Sequence, residues 1–465
     1  MAEALDLPRN ETGIATVIGI LKQQFGDRLQ TGQSIREQHG HTTTWIRNQP
    51  PDAVVFAQST QEVSEIVKIC ARHEVPIVPF GTGTSLEGHV NAPAGGISLD
   101  LAQMNKVLSV HADDLCCVVQ PGVTREDLNT HLRDQGLFFP IDPGANASLG
   151  GMTATGASGT NAVRYGTMKD NVIAVEAVMA DGRIIRTAQR AKKTSAGYDL
   201  TRLMVGSEGT LGVITEITLR LQGIPEAISS ARCSFPSVEA ACQTVMQVIQ
   251  YGIPVARIEL LDALQVKAVN AYSKLDLPET PLLLLEFHGS DAGVAEQAEM
   301  FGAIAEDHGA SGYQATTVAE ERNKLWKARH DAYWASLQLR PGAAGISTDV
   351  CVPISRLADC VEAARKRLED DGLMSPIVGH VGDGNFHCLL LIDEDNAEEM
   401  EKAGAFVSWL SELAISMDGT CTGEHGIGQG KRPYLIKELG AATEFMSAIK
   451  VAFDPQGILN PGKVV

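Results

Sequence analysis

The stretch Val75-Pro-Ile-Val-Pro-Phe-Gly-Thr-Gly-Thr-Ser-Leu-Glu-Gly-His89 decides the fold prediction for this chain. A short apolar run typical of a strand, Ile77–Val78, leads into Gly81, Gly83 and Gly88, with hydroxyl side chains between the glycines. Glycine permits positive φ, and successive exposed N–H groups in such a turn form a concave anion site that suits a pyrophosphate. The spacing matches neither the G-x-G-x-x-G fingerprint nor the G-K-[S/T] of a P-loop. The loop is therefore either a phosphate cradle of another kind or a glycine-rich connector.

Length and charge limit the class of protein. A chain of 465 residues is too long for one compact core, so we expect two domains. The hydrophobic content of 44% is ordinary for a globular protein. A formal charge of −19 argues against a nucleic-acid partner. The same charge either reflects solvated acidic helix faces or steers a basic protein partner.

Cysteine usage and the absence of long apolar runs indicate the compartment. The nine cysteines are scattered and form no C-x-x-C pair, which leaves zinc ribbons, iron–sulfur motifs and a disulfide framework unsupported. No apolar run is long enough to span a bilayer, and residues 1–10 resemble neither a secretory signal nor a transit peptide. We expect a cytoplasmic protein without a transmembrane segment, and peripheral association with a membrane stays open.

Several local patterns predict the secondary structure. Residues 52–110 follow a β-α-β-β order, in which Ser59 and Glu62 form a capping box at a helix start. Residues 141–171 are rich in small side chains, which allow a flat ring system to lie close to the backbone. A loop of this length inside a domain is usually functional, and disorder is the alternative. A single helix is predicted over 320–338.

The predicted boundary between the two domains is Gly223-Ile-Pro225. Residues 1–224 form the first domain in this interpretation. Residues 225–425 alternate strands and helices, which indicates an α+β domain with an antiparallel sheet. Residues 426–465 return to the first domain as a helix and a proline-rich tail.

Gly379-His-Val-Gly-Asp-Gly-Asn-Phe-His387 carries the sharpest chemical signal. His380 and His387 flank a tight turn of the kind that links two strands of a hairpin, which can bring both imidazoles to one side. Two neutral imidazoles and a carboxylate, such as Glu424 in Cys421-Thr-Gly-Glu-His-Gly-Ile-Gly428, suit a divalent ion with open positions. The plain alternative is a polar turn with a stacked histidine.

Five stretches, in the same order along the chain, resemble signatures of the vanillyl-alcohol-oxidase-type (PCMH-type) flavoproteins. The resemblance implies an α+β fold, with a two-subdomain PCMH-type FAD-binding domain and an α+β cap domain with an antiparallel sheet. FAD is expected to be noncovalent, and a covalent link through His89 is the alternative. The stretches are Pro79–Gly88, matching P-x-G-x-G-T-S-x-x-G, Gln120–Val123, Ile141–Met152, Ala157–Gly166 and Gly206–Thr215.

The same resemblance assigns FAD contacts to matching positions in these stretches and to one asparagine near the C-terminus. These positions are Pro79, Phe80, Gly81, Thr82, Gly83, Thr84, Ser85, Gly88, His89, Pro121, Gly122, Asp142, Pro143, Gly144, Ser148, Gly151, Met152, Ala157, Ser158, Gly159, Tyr165, Gly166, Glu208, Gly212, Val213, Ile214 and Asn460.

The C-terminal motifs are similar to H-x-G-D-G-N-x-H and G-E-H-G-[I/V]-G of the FAD-linked D-2-hydroxyacid dehydrogenases. The closest similarity is to the D-lactate dehydrogenase (cytochrome) branch of that family. It implies that His380, His387 and Glu424 hold a divalent metal, Zn or Mn, and contact the substrate. His425 matches the catalytic histidine of the family, which also lies in the substrate site.

Leu325-Trp-Lys-Ala-Arg329 resembles the segment whose arginine binds the substrate carboxylate, a task that a guanidinium fork suits. Arg329 is accordingly expected to be catalytic and substrate-binding, and Tyr333 is assigned to the same substrate site. The alternative for Arg329 is an ion pair on the surface of a helix.

Two departures from the 2-hydroxyglutarate branch favour a small monocarboxylate such as D-lactate. That branch has a lysine where this chain has Ser347, and an asparagine where it has Leu389. Glycolate, a longer 2-hydroxy acid and D-2-hydroxyglutarate stay open as substrates. A metal-dependent hydrolase and a flavin-binding sensor are the more distant alternatives. The expected electron acceptor is a cytochrome, a quinone or an electron-transfer flavoprotein, and a homodimer is open.

Overall fold

The computed structural model describes residues 5–465 as two compact units. The terminal unit contains residues 5–158, 166–224 and 424–465. The central unit contains residues 159–165 and 225–423. The prediction for residues 1–10 falls partly outside the described range. How the two units divide cofactor and substrate binding also stays a prediction.

Four strands form the first sheet of the terminal unit, and three of them are parallel. The helix that connects the first two parallel strands starts at the predicted cap, because the Ser59 hydroxyl accepts the N–H of Glu62. The other half of the predicted capping box differs, because the Glu62 carboxylate accepts the N–H of Gln58 and not that of Ser59. The strands, in sheet order, are Leu29–Gln30, Ala53–Phe56, Ile97–Asp100 and Ile77–Phe80, and the helices are Glu11–Phe25, Gln33–Gln38 and Thr60–Arg72, with a 3-10 turn at Gly26–Arg28.

The second sheet of the terminal unit has five antiparallel strands, and a two-stranded ribbon accompanies it. In sheet order the strands are Val107–His111, Cys116–Val119, Val213–Arg220, Val172–Val178 and Ile184–Arg186, and the ribbon joins Leu137–Phe138 to Gln222–Gly223. The helices are Arg125–Leu132, Leu149–Thr155, Met168–Asn171, Leu200–Met204, Arg432–Leu439 and Ala442–Phe453, with 3-10 turns at Ala112–Asp114 and Arg133–Gln135.

The central unit is built on one antiparallel sheet of eight strands, which confirms the predicted α+β class. In sheet order the strands are Ser311–Thr316, Ala227–Ser234, Leu282–Gly289, Val255–Leu261, Ile377–Gly379, Asn385–Ile392 and Ala344–Ser347, and Val350–Cys351 also pairs with Asn385–Ile392. The helices are Ala162–Tyr165, Val238–Gln250, Ala263–Ser273, Asp291–Asp307, Ala319–His330, Ala332–Leu337, Leu357–Asp371 and Ala397–Ser416, with a 3-10 turn at Ile354–Arg356.

The prediction of one helix over 320–338 was wrong, because the helix ends at His330 and a second one starts at Ala332. Asp331 lies between them with ψ 1°, outside the α-helical range. Its carboxylate binds Lys327 one turn earlier. Aspartate favours such local contacts over a helix interior.

The short excursion 159–165 is attached to the central unit by polar contacts. Asn161 accepts a hydrogen bond from Arg257 at 2.9 Å, and Arg164 donates to the backbone oxygen of Pro254 at 2.5 Å. The Tyr165 hydroxyl lies 2.7 Å from Nδ1 of His288. This stretch therefore contributes side chains to the central unit although both of its flanks belong to the terminal unit.

Candidate active site

The predicted histidine hairpin is present in the central unit. Strands Ile377–Gly379 and Asn385–Ile392 pair in antiparallel fashion, with His380 directly after the first strand and His387 within the second. The two imidazole rings lie with centroids 5.5 Å apart and planes at 82°. Gly384 has φ +80° in the turn, and a Cβ there would lie 2.0 Å from a backbone oxygen, so the turn requires glycine.

Glu259 holds the first histidine in place. Its side chain is 0% exposed on strand Val255–Leu261, and Oε1 lies 2.7 Å from Nδ1 of His380. Burial by itself raises the pKa of Glu259, but His380 and Arg329 outweigh burial and hold the pKa below its usual value. The group is thus a carboxylate, which only accepts hydrogen bonds. Nδ1 of His380 therefore carries a proton, and in the neutral imidazole the lone pair is on Nε2.

The second histidine is held in the same tautomer by the backbone. Nδ1 of His387 lies 2.9 Å from the backbone oxygen of Thr348 and 3.8 Å from a carboxylate oxygen of Asp349. Asp349 is itself bound by Asn385 and Thr422. Histidine ligands of metals usually donate their second ring N–H to such a partner. The donor set of the two histidines therefore fits a divalent metal through Nε2.

Arg329 is largely withdrawn from solvent and pairs with a buried carboxylate, so the surface alternative for it was wrong. Its side chain is 11% exposed, and its guanidinium meets Oε2 of Glu259 through Nε at 2.8 Å and Nη2 at 2.7 Å. Tyr333 lies on the next helix, half-buried and edge-to-face with Trp334. The substrate role of both residues stays a prediction.

Ser347 and Leu389, the two departures from the 2-hydroxyglutarate branch, lie directly opposite each other on neighbouring strands. Opposite residues of an antiparallel pair project to the same face. Leu389 follows His387 by two positions in the same strand, and such residues also share a face. The Ser347 and Leu389 pair thus lies on the face of the sheet that carries His387.

The glycine loop of the terminal unit closes on the start of helix Leu149–Thr155. The N–H of Ser148, which precedes that helix, donates to the Thr82 hydroxyl, and a Cβ at Gly81 would lie 2.3 Å from Oγ of Ser148. Within residues 5–465, the buried hydroxyls of Ser85, Ser148 and Ser207 have no hydrogen-bond partner from the protein. Buried polar atoms are rarely left unsatisfied, so Ser85 within the loop and Ser148 beside Gly81 suit a polar ligand at the loop.

Glu208 has a role that the sequence did not indicate. It was predicted as a cofactor contact, yet its carboxylate accepts the N–H of Ile427 at 2.7 Å and the N–H of Gly428 at 2.8 Å. It also pairs with His89 at 3.1 Å. Burial raises the pKa of Glu208, but His89 and the backbone donors outweigh burial and leave the pKa below its usual value. Asn460 donates to the backbone oxygens of His89 and Glu208.

The loop that carries His425 is therefore braced from two directions within the terminal unit. Glu208 binds the backbone two and three residues after the histidine. Nδ1 of His425 lies 3.9 Å from the Glu87 carboxylate, and the backbone oxygen of Glu87 accepts the N–H of Gln429. Glu424, the predicted third metal ligand, belongs to this unit, and its ligand role stays a prediction.

Two family patterns cover most of the chain. The FAD binding domain matches residues 51–188, and the C-terminal domain of FAD linked oxidases matches residues 224–464. The chain belongs to the FAD-linked oxidase family. The predicted resemblance to FAD-binding proteins is thereby confirmed, and the unsatisfied serine hydroxyls at the glycine loop of this FAD-linked oxidase are consistent with a cofactor site.

Three relatives show which named proteins this FAD-linked oxidase is similar to. A probable mitochondrial D-lactate dehydrogenase of Danio rerio is 50% identical, covering 97% of this chain and 92% of that protein. A mitochondrial D-lactate dehydrogenase [cytochrome] of Arabidopsis thaliana is 45% identical, covering 97% and 80%. A glycolate oxidase subunit of Bacillus subtilis is 38% identical, covering 89% of each chain.

Solved structures confirm the fold alone. The 4-ethylphenol oxidase from Gulosibacter chungangensis superposes with a TM-score of 0.82 at 18% identity, covering 99% of this chain and 98% of that one. p-Cresol methylhydroxylase superposes with a TM-score of 0.80 at 16% identity and the same coverage.

Each helix within residues 5–465 is too short or too polar to span a bilayer.

Proposed function

We propose that this FAD-linked oxidase oxidises D-lactate to pyruvate. The observation that carries the proposal is the buried group in which Glu259 binds Arg329 and His380 together. A 2-hydroxy acid bears its carboxylate on the carbon next to the hydroxyl, so groups that recognise both must be neighbours. A guanidinium beside an imidazole of metal-ligand type meets that requirement. The names of the Danio rerio and Arabidopsis thaliana relatives support the same substrate.

In this proposal, different residues of the chain bind the substrate and take its proton. Arg329 binds the substrate carboxylate and fixes its orientation. His425 takes the hydroxyl proton at an imidazole nitrogen, which suits proton transfer near neutral pH. The buried Ser85, Ser148 and Ser207 hydroxyls would bind FAD, whose chemistry is to accept the hydride. A divalent metal held by His380 and His387 would polarise the hydroxyl.

The electron acceptor and the location belong to the same proposal. The names of the Arabidopsis thaliana and Saccharomyces cerevisiae relatives include a cytochrome, and we take a cytochrome-type acceptor for this chain as well. Those names also place the two relatives in mitochondria, whereas the sequence of this chain predicts the cytoplasm. The homodimer also stays a prediction.

An anaerobic absorption spectrum tests the reaction. The purified protein is expected to be yellow, and D-lactate is expected to bleach the flavin band because the cofactor accepts the hydride. L-lactate is the control and should leave the band unchanged. A yellow protein that neither isomer bleaches contradicts the lactate assignment. A colourless protein that FAD does not reconstitute contradicts the whole proposal.

Substrate selection is expected to follow the Ser347 and Leu389 pair. Introducing Ser347→Lys with Leu389→Asn supplies a cation and an amide for a second carboxylate. A hydrogen bond to a charged group contributes about 1.5–3 kcal/mol, so the ratio of kcat/KM for D-2-hydroxyglutarate over D-lactate should rise roughly 10- to 100-fold. A substrate panel measures the ratio.

Ser347→Met with Leu389→Asn is the matched control for this change. Methionine has nearly the length of lysine but no charge, so this variant should lose D-lactate activity without gaining the dicarboxylate. Equal ratios in the two double variants would show that pocket volume, not charge, selects the substrate.

A further inference from the structure

Glu259 is a fully buried charged group of the central unit that the sequence did not single out. Its strand, Val255–Leu261, is paired on both sides, with Leu282–Gly289 and with Ile377–Gly379. The carboxylate is 0% exposed and divides its two oxygens between two partners. Oε2 receives Nε and Nη2 of Arg329, and Oε1 receives Nδ1 of His380.

We infer that Glu259 is a positioning residue that fixes the tautomer of His380 and the plane of the Arg329 guanidinium with one carboxylate. The inference rests on the proposed function. A carboxylate offers only acceptors, so it binds the His380 tautomer with the proton on Nδ1. The lone pair is then on Nε2, where a metal can bind it. A strand hydrogen-bonded on both sides gives this support little freedom to move.

The same carboxylate sets the direction of the arginine. A guanidinium is planar and rigid, so two contacts through Nε and Nη2 fix the whole fork. The direction of Nη1 is thereby set for a substrate carboxylate. An arginine without this partner would keep its charge but lose its orientation, and we expect substrate binding to weaken in consequence.

The variant Glu259→Gln distinguishes this role from plain packing, because it changes one acceptor into a donor. Arg329 has donors only, so the amide oxygen of the new glutamine must turn toward it. The NH2 group then faces His380, whose Nδ1 must accept instead of donate. The proton moves to Nε2, and that nitrogen can no longer bind a metal. The change replaces one oxygen by nitrogen and keeps the shape of the side chain.

Metal affinity of the flavin-loaded protein is the main measurement. The purified holoprotein is stripped of metal with a chelator and titrated with Mn²⁺ and, separately, with Zn²⁺. Loss of an outer partner of a metal ligand usually costs ~10–100-fold in affinity, and we expect a loss of that size for Glu259→Gln. Flavin absorbance and the thermal unfolding midpoint check that the variant is folded. The KM for D-lactate should rise together with the metal dissociation constant.

A second variant removes the constraint that forces the glutamine to turn. In Arg329→Met combined with Glu259→Gln, methionine donates no hydrogen bond, so the amide oxygen is free to face His380. The tautomer with the proton on Nδ1 then returns. We expect the double variant to recover at least ~10-fold of the metal affinity that Glu259→Gln lost, while D-lactate binding stays weak. A role in packing alone predicts further loss in the double variant.

Glu286→Gln is the matched control on the neighbouring strand Leu282–Gly289. Glu286 is also a buried glutamate with a histidine and an arginine beside it, with His288 at 2.9 Å and Arg257 at 3.7 Å. The Glu286→Gln variant should bind metal as tightly as the wild type. The same loss in Glu286→Gln as in Glu259→Gln would overturn the inference.

The outcomes separate this inference from the proposed function. If the wild type is bleached by D-lactate and binds metal, and Glu259→Gln binds metal as tightly, the inference alone is overturned. If the wild type binds no metal, the metal part of the proposal and this inference are overturned together. If D-lactate does not bleach the wild type but Glu259→Gln still loses metal affinity, the substrate assignment fails and the role of Glu259 toward His380 stands.

Discussion

Replacing His425 by asparagine is expected to lower kcat for D-lactate by roughly 10²- to 10⁴-fold, the usual contribution of a general base. Asparagine keeps a polar side chain of similar size, but it cannot take a proton near neutral pH. The loop should keep its shape, because Glu208 holds it through the backbone N–H groups of Ile427 and Gly428. Steady-state turnover with an artificial electron acceptor measures the loss, and the flavin absorbance should be unchanged.

His308→Asn is the control for this substitution. His308 lies at the end of helix Asp291–Asp307, where its ring binds Gln247, and it has no part in the proposed chemistry. Its variant should turn over like the wild type. If His425→Asn stays within about twofold of wild-type turnover, the histidine is not the base.

Replacing His380 and His387 together by alanine is expected to empty the proposed metal site. The two imidazoles present Nε2 because Glu259 and the Thr348 backbone oxygen take their Nδ1 protons. Loss of an outer partner alone costs ~10–100-fold in affinity, so loss of two direct ligands should cost more than about 100-fold. Elemental analysis of the purified protein should find metal at background and FAD at its wild-type ratio, and turnover should fall with the metal.

Two histidines outside the hairpin, His41 and His308, provide a control variant for the metal analysis. His41 is exposed and His308 half-buried, and alanine at both positions removes the same number of imidazoles without touching the hairpin. This reference variant should keep its metal. Wild-type metal content in the variant that lacks His380 and His387 would refute their role as ligands.

Local sequence patterns were sufficient to predict the turns of the glycine loop and of the histidine hairpin. Glycine is favoured where φ is positive, as at Gly83, Gly88 and Gly384, and such preferences are visible in a single stretch of sequence. The cap at Ser59 is equally local. The break at Asp331 is also local, but helix periodicity alone did not reveal it.

The partners of buried charges could not be predicted, because they come from distant parts of the chain. Glu259 lies 70 residues from Arg329 and 121 from His380. Its local signal is a carboxylate inside the largely apolar strand Val255–Leu261, which predicts a buried partner but does not identify it. Glu208 lies 219 residues from Ile427, so its motif suggested a cofactor contact and gave no sign of the loop it holds.

The excursion 159–165 limits how this protein can be recombined with its relatives. The chain enters the central unit twice. Replacing residues 225–423 by those of a relative would therefore leave segment 159–165 of this protein packed against the relative's residues. The residues at positions 257 and 288 would then come from the relative, whereas their partners Asn161 and Tyr165 would still be those of this protein. A chimera that moves 159–165 together with 225–423 keeps these pairs intact, and the natural unit of exchange is therefore discontinuous in the gene.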